Sequence, residues 1–414
     1  MKKGKLLASV LLASGLVVPS AYATNGYFSH GYGMKSKGMA GVGIALPQDS
    51  LAAATNPAGM VMVGDRIDFG LDWFKPVRGS DITGNGAGRT GTYDGNGKSS
   101  FFIPEFGYNK MISQNTALGV SVYGNGGMNT DYANDPFGGN WGGTGSGGVN
   151  LEQLFITPTW SMKLNPTNAV GVSLNLAYQT FEAKGLQGFA AQSTAPASLS
   201  NTGKDSSTGY GLKLGWTGEV TPTITLGATY QTKTKMGKLN KYAGLFAEQG
   251  GFDIPETYGV GMAVKATSET TVAFDIQQIS YGGVKYIANP LGAIPFNLGA
   301  ANGAGFGWQD MTVYKLGVSY AYSPTLTLRA GYSHNNQQIP SSQTFFNILA
   351  PGVIQDHVTL GGTWKLENKA EITAAYMHAF KKTINGSGSI PGAFGLGEAN
   401  LNMYQDSIGI SYGW

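Results

Sequence analysis

The chain has 414 residues, of which 64 are glycine and none is cysteine, with 12% charged residues and a formal net charge of +3. Soluble domains carry roughly 25% charged residues, and after Val18 there is no apolar run of the roughly eighteen residues that a membrane-spanning helix needs. Without cysteine the chain has no thiol chemistry. Its four arginines are scattered, and we expect no nucleic-acid partner.

Residues 1–23 have the composition of a secretory signal peptide. Three lysines precede the apolar run 6–18, and Ala-Tyr-Ala at 21–23 matches a small-residue cleavage site. The apolar run is too short to span a bilayer. We expect cleavage after Ala23, so that Thr24 begins the mature chain.

Residues 24–64 do not have the pattern of a strand. Eight glycines interrupt both the helical and the strand periods. One short helix is predicted over residues 51–55, capped by Asp49 or Ser50 and ended at Asn56, which precedes a proline. A folded segment of this kind, ahead of a strand-rich chain, predicts a plug inside a barrel.

The remaining chain alternates apolar with small or polar residues. In residues 170–180 the even positions from 170 to 178 are Val, Val, Leu, Leu and Tyr, and the odd positions are small or polar. Fourteen such runs occur: 66–78, 99–111, 115–128, 150–163, 168–183, 207–219, 223–238, 254–266, 270–284, 309–321, 325–337, 355–366, 370–383 and 401–414.

Short turns and long loops alternate between these runs, as they do between the periplasmic and extracellular ends of outer-membrane barrels. The number of runs is even, and the small and charged side of each run is expected to face the lumen. We therefore predict an all-β fold, a 14-stranded antiparallel transmembrane β-barrel over residues 65–414, with residues 24–64 as an N-terminal plug in its lumen.

The last predicted strand ends on alternating apolar residues, Ile408, Ile410, Tyr412 and Trp414. This ending resembles the C-terminal signature that the barrel assembly machinery reads in bacterial outer-membrane proteins. Asp406 does not fit, because its position in the alternation places a charge on the lipid side.

Several motifs together resemble the FadL-type family of outer-membrane transporters for long-chain fatty acids and aromatic hydrocarbons. The motifs are Asn56-Pro57-Ala58, residues 118–131, Tyr376-Met377-His378 and the C-terminus. The resemblance implies uptake of a hydrophobic small molecule in the outer membrane of a Gram-negative bacterium, with outer-membrane lipid as a partner. It also implies a monomer without cofactor or metal.

The family mechanism implies an apolar surface outside the membrane that captures the ligand. Leu239, Tyr242, Leu245 and Phe246 recur at helical spacing in loop 239–253. Leu186 and Phe189 lie in loop 184–206. The alternative interpretation is that these side chains pack together and close the top of the barrel, and both interpretations could hold.

A second implied feature is an interior pocket beside the start of the plug. The resemblance places Thr24, Asn25, Gly26, Tyr27 and Phe28 near the ligand tail, where ligand could displace them. For a ligand carboxylate, Arg329 is the candidate. The alternative is a network between barrel and plug in which inward-facing cations balance inward-facing acids. The cations are Arg329, Lys213, Lys233 and Lys315, and the acids are Asp68, Asp72, Glu105 and Asp275.

The third implied feature is an opening in the wall. Gly124-Asn125-Gly126-Gly127 interrupts the third predicted strand, and consecutive glycines in a strand indicate a bulge or kink. By resemblance, such a kink leaves a lateral exit into the membrane. The alternative is that the strand simply ends there.

Other function classes have weaker support. The four histidines are scattered without a motif that a nucleophile or base would need, so we expect no catalytic residue and no enzyme activity. A general diffusion porin or a structural outer-membrane barrel is the alternative hypothesis, although a porin begins directly with its first strand.

Overall fold

A computed structural model describes residues 25–414, so the predicted signal peptide and Thr24 lie outside the described residues. In the described part of the chain, sixteen strands form one antiparallel sheet. The strands are β1 Arg66–Thr83, β2 Gly91–Asp94, β3 Phe101–Ser113, β4 Thr116–Tyr132, β5 Gly147–Lys163, β6 Asn168–Lys184, β7 Asp205–Thr221, β8 Ile224–Gln231, β9 Lys235–Met236, β10 Thr257–Lys265, β11 Thr270–Ile279, β12 Met311–Ser323, β13 Leu326–Asn335, β14 Asp356–Lys365, β15 Glu371–Ile384 and β16 Glu398–Gly413.

Fourteen of these strands form a closed barrel, and β2 and β9 are short additions to β1 and β7. Each barrel strand pairs with its neighbour in chain order, and β16 returns to pair with β1 from Gly413 to Glu398. Pairing of β16 with β1 closes the sheet on itself. Every predicted run corresponds to one barrel strand, so the predicted 14-stranded barrel is confirmed.

The alternation along each strand sets which side chains face the lumen. On β1, Phe69, Leu71 and Trp73 are 51%, 44% and 41% exposed, whereas Asp68 and Asp72 are 4% and 2% exposed. Apolar side chains therefore cover the outer wall, and small and charged side chains face inward, as predicted.

Residues 25–64, which we call the N-terminal segment, contact inward-facing residues of the barrel. Their helical turns are Met34–Lys37, Ala52–Ala54, Pro57–Gly59 and Met60–Val63. The predicted helix over residues 51–55 is only a 3-10 turn whose N-cap is Leu51, so neither predicted cap, Asp49 or Ser50, caps it; Asp49 Oδ1 instead accepts from Leu51 N at 3.0 Å. Asn56 is extended at φ −142° and ψ 111°, as a residue before proline prefers.

Inward-facing acids of the barrel bind the N-terminal segment. Lys37 Nζ lies 2.9 Å from Asp72 and 3.6 Å from Glu105. The backbone N–H of Ser50 donates to Asp68 at 2.9 Å, and that of Gly43 donates to Asp275 at 2.8 Å. All four predicted inward acids therefore contact the N-terminal segment, although their partners there are Lys37 and backbone N–H groups and not the predicted barrel cations.

The long connections fold over the extracellular end of the barrel. They contain the helical turns Gly139–Trp141, Gln187–Gln192, Pro196–Ser198, Asn240–Tyr242, Ala247–Gly250, Tyr281–Gly283, Lys285–Ala288, Ser341–Gln343, Phe346–Ile348 and Gly392–Phe394. Rings from four connections, including Phe137, Phe189, Phe345 and Phe394, contact one another and are at most 6% exposed. Packed loops therefore cover the lumen. Among residues 25–414, no helix is long and apolar enough to cross a membrane.

Candidate functional site

The barrel wall is interrupted between β3 and β4. The two strands pair only as far as Phe106 and Val122. Beyond that point, residues 101–105 of β3 pair with β1 alone, and residues 123–129 of β4 have β5 as their one neighbouring barrel strand. We call this interruption, roughly 20 Å long on β4, the β3–β4 gap.

Two local features of the sequence contribute to the β3–β4 gap. Pro104 of β3 has no N–H to offer a neighbouring strand. On β4, Gly124 pairs with Leu154 and Gly126 with Gln153, so Asn125 is an extra residue in a bulge. The predicted bulge at residues 124–127 is confirmed. The alternative, that the strand ends there, is wrong, because β4 continues to Tyr132.

The N-terminal segment occupies the free edge of β4 at the β3–β4 gap. Phe28 forms an antiparallel bridge with Gly126. Ser29 N donates to Asn125 O at 3.0 Å, and Gly127 N donates to Tyr27 O at 2.9 Å. A Cβ atom at Gly126 would lie 1.8 Å from Tyr27 O, so this contact requires glycine.

Tyr27 joins this edge to the extracellular loops through aromatic contacts. Its ring centroid lies 5.3 Å from that of Tyr281 and 6.1 Å from that of Trp308, and its hydroxyl is 2.6 Å from the hydroxyl of Tyr286. Tyr281 Oη donates to Asn25 O at 2.6 Å. Burial raises the pKa of Tyr281 and of Tyr286 well above the ordinary tyrosine value, so both hydroxyls stay neutral.

Gly26 fits between the same rings. Its φ is +63°, and an added Cβ would lie 2.4 Å from Tyr281 Oη. Of the residues predicted to start the plug, those in the described range thus lie together at one aromatic site: Asn25, Gly26, Tyr27 and Phe28.

The loop side chains predicted to form an exposed apolar surface are buried. None of the six is more than 2% exposed: Leu186, Phe189, Leu239, Tyr242, Leu245 and Phe246. Phe246 packs edge-on against Phe181 and Phe252 at 4.7 and 4.8 Å. The expected exposure is therefore wrong in this closed structure, because the loops bury these residues against one another. Their role in ligand capture stays a prediction.

The candidate cation for a ligand carboxylate, Arg329, contacts the N-terminal segment. Its Nε donates to Gln48 Oε1 at 3.0 Å and its Nη1 to Thr363 Oγ1 at 2.6 Å. Two other predicted inward cations also bond to carbonyls of the segment, Lys213 to Ala54 O and Lys315 to His30 O.

These contacts correct the predicted ion pairing. The lysines that pair with barrel acids in the lumen are Lys35 and Lys37, and both belong to the N-terminal segment. Lys37 pairs with Asp72, and Lys35 Nζ lies 2.6 Å from Glu371. Lys233, predicted to face inward, is exposed and donates to Gly283 O at 2.7 Å. The alternation could not show this, because β8 ends at Gln231.

Comparison with known proteins shows which family the chain belongs to. The family model described as outer membrane protein transport protein (OMPP1/FadL/TodX) matches residues 10–391. The chain belongs to this OMPP1/FadL/TodX family. It is therefore an outer-membrane protein of a Gram-negative bacterium, in a family of transport proteins. A search of curated proteins found no match.

Solved structures share the family's barrel fold. The toluene transporter TodX of Pseudomonas putida is 19% identical with a TM-score of 0.69, over 93% of this chain and 98% of TodX. A FadL homologue of Pseudomonas aeruginosa is 17% identical with a TM-score of 0.71, over 94% and 99%. The toluene transporter TbuX of Ralstonia pickettii is 18% identical with a TM-score of 0.65, over 93% and 98%.

The Asn56-Pro57-Ala58 motif anchors the N-terminal segment in this OMPP1/FadL/TodX barrel. Asn56 Oδ1 accepts from Ala58 N at 3.0 Å and so caps the Pro57–Gly59 turn. Its Nδ2 donates to Ile44 O at 2.7 Å within the segment and to Trp216 O at 3.0 Å on β7. The motif therefore fixes the segment to the barrel wall at β7, and this position is distant from the β3–β4 gap along the sheet.

Asp406, unexplained by the alternation, has partners on the outer wall. It accepts from Tyr376 Oη at 2.7 Å, and His378 Nδ1 lies 2.9 Å away. The same arrangement recurs two strands away, where Asp356 is 2.5 Å from Tyr332 Oη and 2.7 Å from the Nδ1 atom of the neighbouring His334. Side-chain partners on adjacent strands reduce the cost of a carboxylate on this surface.

Proposed function

We propose that this protein takes up hydrophobic small molecules across the outer membrane by a lateral route. In this proposal the ligand enters beneath the extracellular loops and displaces the start of the N-terminal segment. It then leaves through the β3–β4 gap into the membrane. The observation that carries the proposal is the gap itself, because Tyr27, Phe28 and Ser29 pair with the edge of β4 where β3 does not.

The chemistry of a hydrophobic ligand favours this route over an aqueous one. Each CH2 group that passes into water costs about 0.8 kcal/mol. A ligand that moves from buried aromatic loops to Tyr27 and then to the lipid-facing wall avoids this cost. Two backbone hydrogen bonds join the N-terminal segment to the edge of β4 at the gap, and a ligand that competes for the aromatic site of Tyr27 would release them.

The interior offers a small site next to these contacts. A cavity of about 30 Å³ is lined by residues of the segment and of the wall, including Phe28, Tyr32, Asn125, Lys213 and Lys315. It is too small for a fatty acid or a hydrocarbon in the closed state, since ligand pockets usually have at least about 300 Å³. Binding would therefore require displacement of the segment, as the proposed gating assumes.

The comparisons support hydrophobic substrates without selecting one. Two of the similar structures are titled as toluene transporters and one as a FadL homologue. We therefore propose aromatic hydrocarbons or long-chain fatty acids as the substrate class. A general diffusion porin, the alternative, would require an open lumen, and the contacts of the N-terminal segment with inward-facing acids on several strands argue against one.

A reversible covalent lock tests the gating step. Ser29 and Asn125 lie opposite each other in an antiparallel pair, where Cα atoms are about 4.5–5.5 Å apart, within the range of a disulfide. The chain has no native cysteine. In the double variant Ser29→Cys/Asn125→Cys, toluene uptake by cells should fall severely after oxidation and recover after reduction.

The two single-cysteine variants are the controls for the lock, since each carries the same side-chain change without the cross-link. They should take up toluene equally with and without oxidant. Full uptake by the oxidised double variant, with the disulfide verified by mass spectrometry, would rule out gating at this edge. Liposome swelling with sugars addresses the porin alternative, because an open pore would admit them.

A further inference from the structure

One buried arginine, Arg78 on β1, spans the extracellular end of the β3–β4 gap. Arg78 is only 1% exposed to solvent. Nε donates to Asn129 O on β4 at 2.6 Å, and Nη2 donates to Asn129 Oδ1. Nη2 also donates to Lys98 O at 2.5 Å, in the connection before β3. One guanidinium therefore joins β1, β4 and the connection between β2 and β3.

This arginine is not held by an acid. Among the described residues Arg78 forms no ion pair, and Asp131 and Asp94 act on its charge only electrostatically, from a longer distance. A buried charge without a direct ion-pair partner is costly unless hydrogen bonds satisfy it. The planar fork of arginine can serve several carbonyl oxygens at fixed angles, which lysine cannot do. The geometry thus indicates a structural tie between strands, not an ion pair.

At the position of the tie, β1 and β4 are joined not by β3 but by the connection before it, whose Gly95 N donates to Arg78 O at 3.2 Å. Above the gap, the only backbone contacts described between the connection and β4 are near Asp131, where Gly97 N donates to Asp131 O at 2.9 Å and Asp131 N donates to Gly95 O at 3.0 Å. Phe101, the first residue of β3, has its ring centroid 5.9 Å from Arg78 Cζ. Arg78 thus bridges from β1 past the start of β3 to β4.

We propose that Arg78 is a specificity-determining residue of the exit. It keeps β1, the 95–98 connection and β4 at a fixed spacing and so limits the cross-section of molecules that pass the β3–β4 gap. The space that Tyr27, Phe28 and Ser29 would vacate beside β4 is the width of one polypeptide chain, roughly 5 Å. It fits a linear alkyl chain or a single flat ring and rejects bulky branched hydrocarbons. This inference rests on the lateral route proposed above.

Substitution of Arg78 tests the inference through substrate size. Arg78→Lys keeps the charge and loses the fork, and Arg78→Gln loses the charge as well. In both variants the uptake of 1,3,5-triisopropylbenzene relative to toluene should rise several-fold, because the edges of the gap are less restrained. Toluene affinity of the detergent-solubilised barrel should stay as in the parent. A purely structural role would lower the amount of folded barrel and leave the uptake ratio unchanged.

Arg89→Lys is the matched control. Arg89 also donates to backbone carbonyls, Asp135 O at 2.5 Å and Pro136 O at 3.4 Å, but these lie in the extracellular loops. Its uptake ratio should equal that of the parent. If the Arg78 variants do not fold, Asn129→Ala removes one acceptor of the same tie and should raise the ratio to a smaller extent.

Failure of this inference can be told apart from failure of the proposed route. In one outcome, the oxidised lock between residues 29 and 125 abolishes uptake, but the ratio of 1,3,5-triisopropylbenzene uptake to toluene uptake is unchanged in the folded Arg78 variants. Arg78 then does not set the size limit. If the Arg78 variants do not fold, an unchanged ratio in Asn129→Ala leads to the same conclusion. If the oxidised lock leaves toluene uptake intact, the lateral route itself fails, and the size argument fails with it.

Discussion

Lys37 accounts for much of the charge balance between the N-terminal segment and the wall. It lies between Asp72 and Glu105, and all three side chains are at most 4% exposed. Glu105 also accepts from Gly33 N at 3.2 Å. Replacing one partner of a buried ion pair leaves the others uncompensated, which typically costs about 3–5 kcal/mol. The segment is therefore held by electrostatics at one place and by backbone pairing at another.

Lys37→Met should loosen the N-terminal segment without unfolding the barrel. Two carboxylates would then be buried without a cation, and the segment would move to let water reach them. Hydrogen exchange at residues 33–43 should become faster, and channel conductance in planar bilayers should rise. The control is Lys110→Met, whose partner Asp65 is 52% exposed, so its loss should change little. Unchanged exchange in Lys37→Met would show that the pair does not hold the segment.

The extracellular loops act as a packed layer, not as separate flexible connections. Tyr242 Oη accepts from Ala183 N at 3.0 Å and donates to Gly203 O at 2.9 Å, so one loop side chain ties its own loop to the end of β6 and to the connection that follows β6. Phe252 stacks on Tyr286 at 3.7 Å between ring centroids. Since Tyr286 contacts Tyr27, the layer is continuous with the residues that close the β3–β4 gap.

Leu245→Asp together with Phe246→Asp should open this layer and leave the barrel folded. Two buried carboxylates without partners cost several kcal/mol, and loops outside the membrane tolerate the resulting rearrangement. Heat-modifiable migration on gels should stay as in the parent, while toluene uptake at limiting concentration should fall. Asn240→Asp/Gln249→Asp adds two charges at exposed positions of the same loop and should behave as the parent. Equal uptake by the buried-site variant would assign these residues to closure alone.

At the scale of the whole molecule, the barrel and the N-terminal segment are separable in their hydrogen bonding. The fourteen-stranded ladder closes through β1 and β16 without any residue of the segment. The segment contributes side-chain contacts to inward acids and one backbone bridge at the β3–β4 gap. Barrel assembly should therefore not require it.

Deletion of residues 24–62 should give an inserted barrel that conducts small polar solutes. Inward acids such as Asp72 and Asp275 would become hydrated instead of buried, so their charge would no longer oppose folding. Liposome swelling with sugars should be faster for the deletion variant than for the parent. An unchanged rate, or a chain that does not insert, would contradict the role of the segment as a plug.

Local periodicity was sufficient to predict the strands, their number and their orientation. A two-residue alternation such as that at Phe69, Leu71 and Trp73 is a property of neighbouring residues, and burial in lipid or lumen acts on each strand in the same way. The glycines at 124–127 likewise predicted a local bulge, because bulge formation depends on the backbone freedom of those residues.

The closure of the gap, the loop packing and the charge partners were decided only by the tertiary structure. Helical spacing at Leu245 and Phe246 is equally compatible with an exposed surface and with a buried layer, and only contacts with Phe181 on β6 distinguish them. Ser29 and Asn125 meet across 96 residues of sequence, and Arg78 ties three separate segments. Such contacts arise from barrel closure, which brings distant residues together in ways that no local pattern encodes.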